Sequence, residues 1–174
     1  KLDQFVLLPM QSFAMASTTF VSQNMGANQE KRAQQGTVAS VLLSLGVTGV
    51  IVVLLIVFAA PAVELFTPDR AVVDFGVLFV RANIAFLLFN CVNHVLAGAL
   101  RGMGDSTAPM LIMLLTFVGI RQVYLFVMTR YIVNTPLVVG LGYPLGWVTC
   151  CITEVTYYFI KCKKRKSTQL LPEL

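Results

Sequence analysis

Charge is what this sequence has least of: Asp, Glu, Lys and Arg make up 12% of its 174 residues, about half the share in an average soluble domain. Histidine occurs once, as His94, and tryptophan once, as Trp147. The four cysteines, Cys91, Cys150, Cys151 and Cys162, show no metal-ligand spacing, so no metal site is expected and they read as buried thiols. A lone His without a Ser, Cys or carboxylate at catalytic spacing excludes an intramembrane enzyme, and no cofactor is expected. Nothing resembles a cleaved signal peptide, and a start at Lys1 close to an apolar run reads as a fragment.

What is abundant is apolar surface, 57% of the residues. It falls into five runs, about 5–21, 37–60, 76–100, 109–128 and 136–160, most of them near the 20 or so residues that cross a hydrocarbon core of about 30 Å. "VLLSLGVTGVIVVLLIVFAA" is β-branched, yet it is far longer than a barrel strand of roughly 9 to 11 residues. The expectation is an all-α integral membrane protein with five transmembrane helices in residues 1–166 and a polar tail over 167–174. Lys31, Arg32, Arg101, Lys161, Lys163, Lys164, Arg165 and Lys166 collect on one side, against Arg70 and Arg130 in the loops of the other. Basic residues stay preferentially in the cytoplasm, so the tail and the loop around Arg101 are expected there, in the plasma membrane of the cell. The basic tail directly follows an apolar helix, which makes it a stop-transfer anchor or an anionic-lipid contact and not a nucleic-acid site.

Polar groups inside such helices face a bundle interior or a water-filled cavity, because hydrocarbon leaves them unsatisfied. At about 100° per residue, Asn83, Asn90, His94 and Arg101 fall on one stripe of the third helix, with Asn93 beside it. Gln4, Gln11, Thr18 and Ser22 share a face of the first, and two such faces point to a shared aqueous path. Arg121 lies about 18 Å into the fourth helix and needs a partner, either as a structural cap or as a transport residue. Glu154 is the one carboxylate well inside a run, with Trp147, Cys150, Cys151, Tyr157 and Tyr158 around it. It is either a proton- or cation-coupling group or an interfacial carboxylate paired with Lys161 or Lys164. His94 is either a packing residue or a pathway group.

The segment "GALRGMGDSTAPM" at 98–110 reads as a structured hinge. Gly98, Gly102 and Gly104 let the chain turn tightly, Asp105 or Ser106 caps the next helix with Pro109 in its first turn, and Arg101 anchors the end. Gly142 and Gly146 make a small-xxx-small spacing for close helix approach, and Pro9 and Pro144 are candidate kinks.

"TFVSQNMGANQEKRA" at 19–33 and "LAGALRGMGDSTAPM" at 96–110 resemble the signature segments of the multidrug and toxic compound extrusion (MATE) family. The first carries Gln23, Asn24, Gly26 and Ala27; the second carries Gly98, Arg101, Gly102, Gly104, Asp105 and Pro109. "VGIRQVYLF" resembles that family's eleventh helix and places Arg121 where many members carry Arg. The resemblance implies most of the C-terminal six-helix lobe of a twelve-helix antiporter, whose partner is the N-terminal lobe of the same polypeptide. It further implies export of small organic cations or drug-like compounds, coupled to protons or sodium ions; the alternative is a flippase or exporter of lipid-linked saccharides of related architecture. Some members carry an acidic residue in the tenth helix, whereas 76–100 here holds none, which turns the expectation away from sodium coupling through this lobe.

Overall fold

The computed structural model describes residues 2–65, 69–132 and 136–169, and all regular structure among them is helical. The helices are α1 (Leu2–Gly26), α2 (Glu30–Val57), α3 (Ala59–Glu64), α4 (Arg70–Asn83), α5 (Leu87–Gly102), α6 (Thr107–Leu114), α7 (Arg121–Val127) and α8 (Pro136–Gln169). A 3-10 turn at Ile84–Phe86 joins α4 to α5, a π-helical stretch at Leu115–Ile120 joins α6 to α7, and a second one, Met128–Ile132, follows α7. The expected five rods are therefore present as α1, α2, α4 to α5, α6 to α7, and α8. Four stretches, Glu30–Val57, Arg70–Gly102, Thr107–Tyr131 and Val138–Arg165, are long and apolar enough to cross a membrane. The more polar α1 is of similar length, 25 residues.

Several boundaries differ from expectation, each for a local reason. The second rod stops at Val57 because Pro61 has no N–H for the Val57 carbonyl and its ring crowds that carbonyl; Phe58 still donates to Leu54 O at 2.9 Å, and α3 starts anew. The third rod begins at Arg70, not 76, because the Asp69 carboxylate accepts the Ala71 N–H at 3.0 Å as an N-cap. That earlier start brings Asp74 into the helix, exposed near its end. The last rod runs on through the basic stretch to Gln169, so 161–169 is helix and not tail; residues 170–174 lie outside the described residues.

Helix α5 sits at the centre, touching α1, α2, α6 and α8, and nearly all of Val95–Leu100 is buried. One apolar cluster joins Val21, Leu96, Leu100 and Tyr158; a second joins Val6, Met10, Ile84, Leu87 and Cys91, with Trp147 against it. In a bilayer apolar burial gives little drive for helix association, so close contact and polar contacts must hold the rods. Between α1 and α5 they do. A Cβ on Gly98 would lie 2.4 Å from the Ala14 carbonyl oxygen, and one on Gly102 would lie 2.7 Å from that of Thr18. Thr18 Oγ1 lies 2.9 Å from both the Gly98 and the Ala14 carbonyls. Gly98 and Gly102 are thus helix-packing residues, and the expected turn role is corrected for both. Between α2 and α5 the Ser44 hydroxyl lies 2.8 Å from Cys91 Sγ, and Thr48 donates to the same sulfur at 3.4 Å.

Candidate functional site

The two signature segments close their helices in the same way. After α1, Gln29 donates to Asn24 O at 2.8 Å and Asn28 to Met25 O at 3.1 Å, with Asn28 left-handed at φ 56°. After α5, Asp105 donates to Leu100 O at 3.0 Å and Gly104 to Arg101 O at 3.0 Å, with Gly104 at φ 83°. Both are Schellman closures. Gly104 alone of the three loop glycines serves the turn, while Gln23 and Gly26 are exposed and Asn24 is buried, donating to Phe20 O at 2.7 Å.

Asp105 Oδ1 accepts the Ala108 N–H at 3.2 Å and so caps α6 as expected; Ser106 makes no such bond, and Pro109 is buried in the first turn. Asp105 Oδ2 accepts from the Tyr157 hydroxyl at 2.7 Å and pairs with Lys161. The Lys161 ammonium, and after it the Tyr157 hydroxyl, hold the Asp105 carboxyl down at about 2. One turn further along α8, Arg165 reaches Glu30 Oε1 at 3.0 Å and Met103 O at 3.3 Å. Tyr157, Lys161 and Arg165, spaced by four residues, form one stripe that clasps both turns. Their sequence gave reason to read the two cations as an anchor; their partners lie 56 and 135 residues away, beyond local pattern. Arg101 is exposed in the last turn of α5.

The interior polar residues divide. Asn83 and Asn90 are buried, His94 is half-buried, and Gln11 is exposed on α1. The single stripe assumed an unbroken α-helix. The 3-10 turn at 84–86 advances about 120° per residue instead of 100° and rotates Asn83 about 60° away from the rest. Asn83 donates to Phe79 O at 2.9 Å and Asn93 to Trp147 O at 3.1 Å. The side-chain oxygens of Asn83, Asn90 and Asn93, and the Ser17 hydroxyl, are buried without partners among the described residues. A face shared by Gln11, Thr18 and Ser22 is not formed as a wet face, since Thr18 is turned into the α5 contact.

Glu154 is fully buried, and neither carboxylate oxygen has a hydrogen-bond partner among the described residues. Pairing with Lys161, one expected alternative, is excluded because that ammonium sits on Asp105. Cys150 and Tyr158, one turn to either side, are buried on the same face. An unpaired carboxylate is costly to keep ionised in such surroundings.

Arg121 is the first residue of α7, directly behind the π stretch, where an extra residue per turn resets the helix face. Thr116, within that stretch, donates its hydroxyl back to Ile112 O in α6 at 2.8 Å, the local back-bonding such side chains make. The Arg121 guanidinium carbon lies 3.6 Å above the Tyr143 ring, and its Nε is buried without an acceptor among the described residues. The contact seen for Arg121 among the described residues is an aromatic face on α8; an acidic partner in the rest of the polypeptide, the other expectation, lies outside them. A cation–π contact is worth about 0.5 to 2 kcal/mol, less than the roughly 2.5 to 3.5 kcal/mol that insertion scales assign to a charge at a helix centre. Stacking alone does not offset the charge. An added Cβ would lie 3.3 Å from the Tyr124 ring at Gly142 and, at Gly146, 3.4 Å from the Phe117 ring and 3.6 Å from the Thr116 carbonyl oxygen.

The sequence model of the MatE family matches residues 1–127. The probable multidrug resistance protein YoeA of Bacillus subtilis (strain 168) is 24% identical across 96% of this chain and 36% of its own length. The probable multidrug resistance protein NorM of Pasteurella multocida (strain Pm70) is 26% identical across 91% and 34%. This chain thus spans about a third of the length of these relatives. Two solved structures share its fold at 13% identity. An inward-facing multidrug resistance MATE family transporter of the MOP superfamily has a TM-score of 0.86 over 96% of this chain and 39% of its own. A MATE protein in complex with MaL6 has a TM-score of 0.87 over 95% and 38%. With both signature turns inside the matched region, the chain belongs to the MATE family, a family of transporters and not of enzymes.

Proposed function

We propose that this chain is most of the C-terminal lobe of a secondary antiporter that exports organic cations or drug-like compounds in exchange for protons or sodium ions. The N-terminal lobe of the same polypeptide completes the cavity, and the protein sits in the plasma membrane with the clasped, basic end of α8 in the cytoplasm. Support comes from the relatives named as multidrug resistance proteins and from the excess of basic residues at that end. The observation that carries the coupling reading is Glu154, fully buried and without a partner among the described residues. Along Arg70–Gly102, by contrast, the one carboxylate after the N-cap is the exposed Asp74, which supports a coupling group on α8.

Inverted vesicles holding the full-length parent protein test this by uptake of a fluorescent organic cation under an imposed proton or sodium gradient. Uptake driven by one gradient and reduced at least tenfold by Glu154→Gln, at equal abundance, is the expected result. Undiminished uptake by the variant would move coupling to the rest of the polypeptide. No uptake under either gradient would overturn the export reading.

A further inference from the structure

Proton exchange at Glu154, the coupling reading on which this inference rests, needs a counter-charge, and the packing of α5 against α8 supplies one. Asn93 donates to Trp147 O, 54 residues further on, and Asp105 accepts from Tyr157 and Lys161, 52 and 56 residues further on. The two helices therefore run parallel at a nearly constant offset, which sets Glu154 level with Leu100 and beside Arg101 in the last turn of α5. His94 stands two turns back on the same face of α5, and both His94 and Glu154 lie within the field of the Arg101 guanidinium. The other polar groups near Glu154 are Cys150, Cys151, Tyr157 and Tyr158 on α8 itself, Asp105 in the hinge turn, and Thr116 of the α6 to α7 rod, beside Cys150. Lys161 is held by Asp105 and Arg165 by Glu30. Arg101 enters neither ion pair and is exposed.

An enclosed carboxylic acid sheds its proton only where the anion left behind is balanced, because an isolated buried charge is costly. We infer that Arg101 is the counter-charge that swings onto Glu154 when the proton leaves toward the cytoplasm, and so permits release at that face. The Glu154 O–H bond breaks, its electron pair stays on the carboxylate oxygen, and the proton passes to water at the cytoplasmic end. The guanidinium, charged throughout, donates hydrogen bonds to the carboxylate. A proton arriving from the outer side displaces it again. Arg101 acts through Glu154 and is a positioning residue.

Infrared titration of the purified full-length transporter reads Glu154 directly, through the protonated-carboxyl stretch that Glu154→Gln removes. Arg101→Gln is expected to raise the midpoint of that band by about one pH unit or more, because the carboxylate loses its neighbouring cation, whereas Arg101→Lys stays within about half a unit of wild type. In inverted vesicles Arg101→Gln moves the cytoplasmic-face pH of half-maximal proton-driven uptake upward by a similar amount. A midpoint unchanged in Arg101→Gln overturns the inference; should that variant fail to fold, Arg101→Met, of similar length and without charge, is held to the same criterion. An equal shift in Arg101→Lys also overturns it, since the cause is then the shape of the turn and not its charge. Absence of a Glu154 band at any pH overturns both this inference and the coupling reading. A band that shifts as expected, while Glu154→Gln leaves uptake undiminished, sinks the coupling reading alone and leaves Arg101 as the partner of Glu154.

Discussion

The α1 to α5 contact and the α6 to α7 rod show two ways of being a membrane helix in the same lobe. In the first, backbone meets backbone: the Gly98 and Gly102 positions have no room for a Cβ, and Thr18 ties across to the Gly98 carbonyl. In the second, Pro109 and Thr116 are the buried residues, and Leu114, Leu115, Val118, Val123 and Phe126 are exposed. The close pair is regular α-helix at its contact, while the loosely held rod carries both π stretches. Tight packing fixes one backbone geometry; sparse packing leaves room for a non-α turn, and the charged, stacked Arg121 sits directly behind one.

The comparison breaks most sharply at Gly98. Gly98→Ala places a methyl group 2.4 Å from a main-chain oxygen that cannot rotate away, so α1 must shift, at an expected cost of about 2 to 3 kcal/mol. Thermal unfolding of the purified full-length protein should show it as a clear fall in Tm. A Tm within error of wild type would mean that the two helices do not meet this closely.

Asp105, on the turn between the two regions, should have a smaller effect. Asp105→Asn removes the ionised acceptor for Lys161 and Tyr157 and is expected to cost about 1 kcal/mol, because the pair partly faces water. The folded carboxyl titrates at about 2, below its ordinary 3.8, so the unfolded chain binds the proton more readily. The stabilisation is therefore complete above about pH 4 and is lost as pH falls toward 2. Melting curves from pH 7 down to pH 3 should show a gap between wild type and Asp105→Asn that narrows toward the acid end and closes only near pH 2; a constant gap would assign the loss to shape instead of charge. The smallest effect is expected for Gly119→Ala in the π stretch, where an added Cβ meets nothing within 4 Å. Helix propensity alone should stabilise it by up to about 1 kcal/mol, and a marked loss would show the rod to be as constrained as α5.

The rods were legible because an apolar run is a property of one segment. Asp105 as a cap was legible too, since a cap and its N–H lie three residues apart. Pro61 held a signal for the break after Val57 that the hydropathy run hides. Gly98 and Gly102 also form a small-xxx-small pair, but beside Gly104 and Asp105 they resemble turn residues, and only the presence of Ala14 and Thr18 across the interface distinguishes the two uses. The π stretches have no comparable mark. Pairings such as Arg121 over Tyr143, or Arg165 on Glu30, depend on how rods align, which periodicity within one rod does not encode.

Pro144 has a consequence in mechanical terms. Below it, α8 is cross-braced to two turns through Tyr157, Lys161 and Arg165, and a rod pinned at several points resists bending there. At Pro144 the helix is spliced, since the Gly140 carbonyl has no amide hydrogen from residue 144 to hold, and flexing at that level breaks no such bond. The beam is stiff where it is trussed and compliant beside Tyr143, so the ring under Arg121 stands next to the point where α8 bends most cheaply.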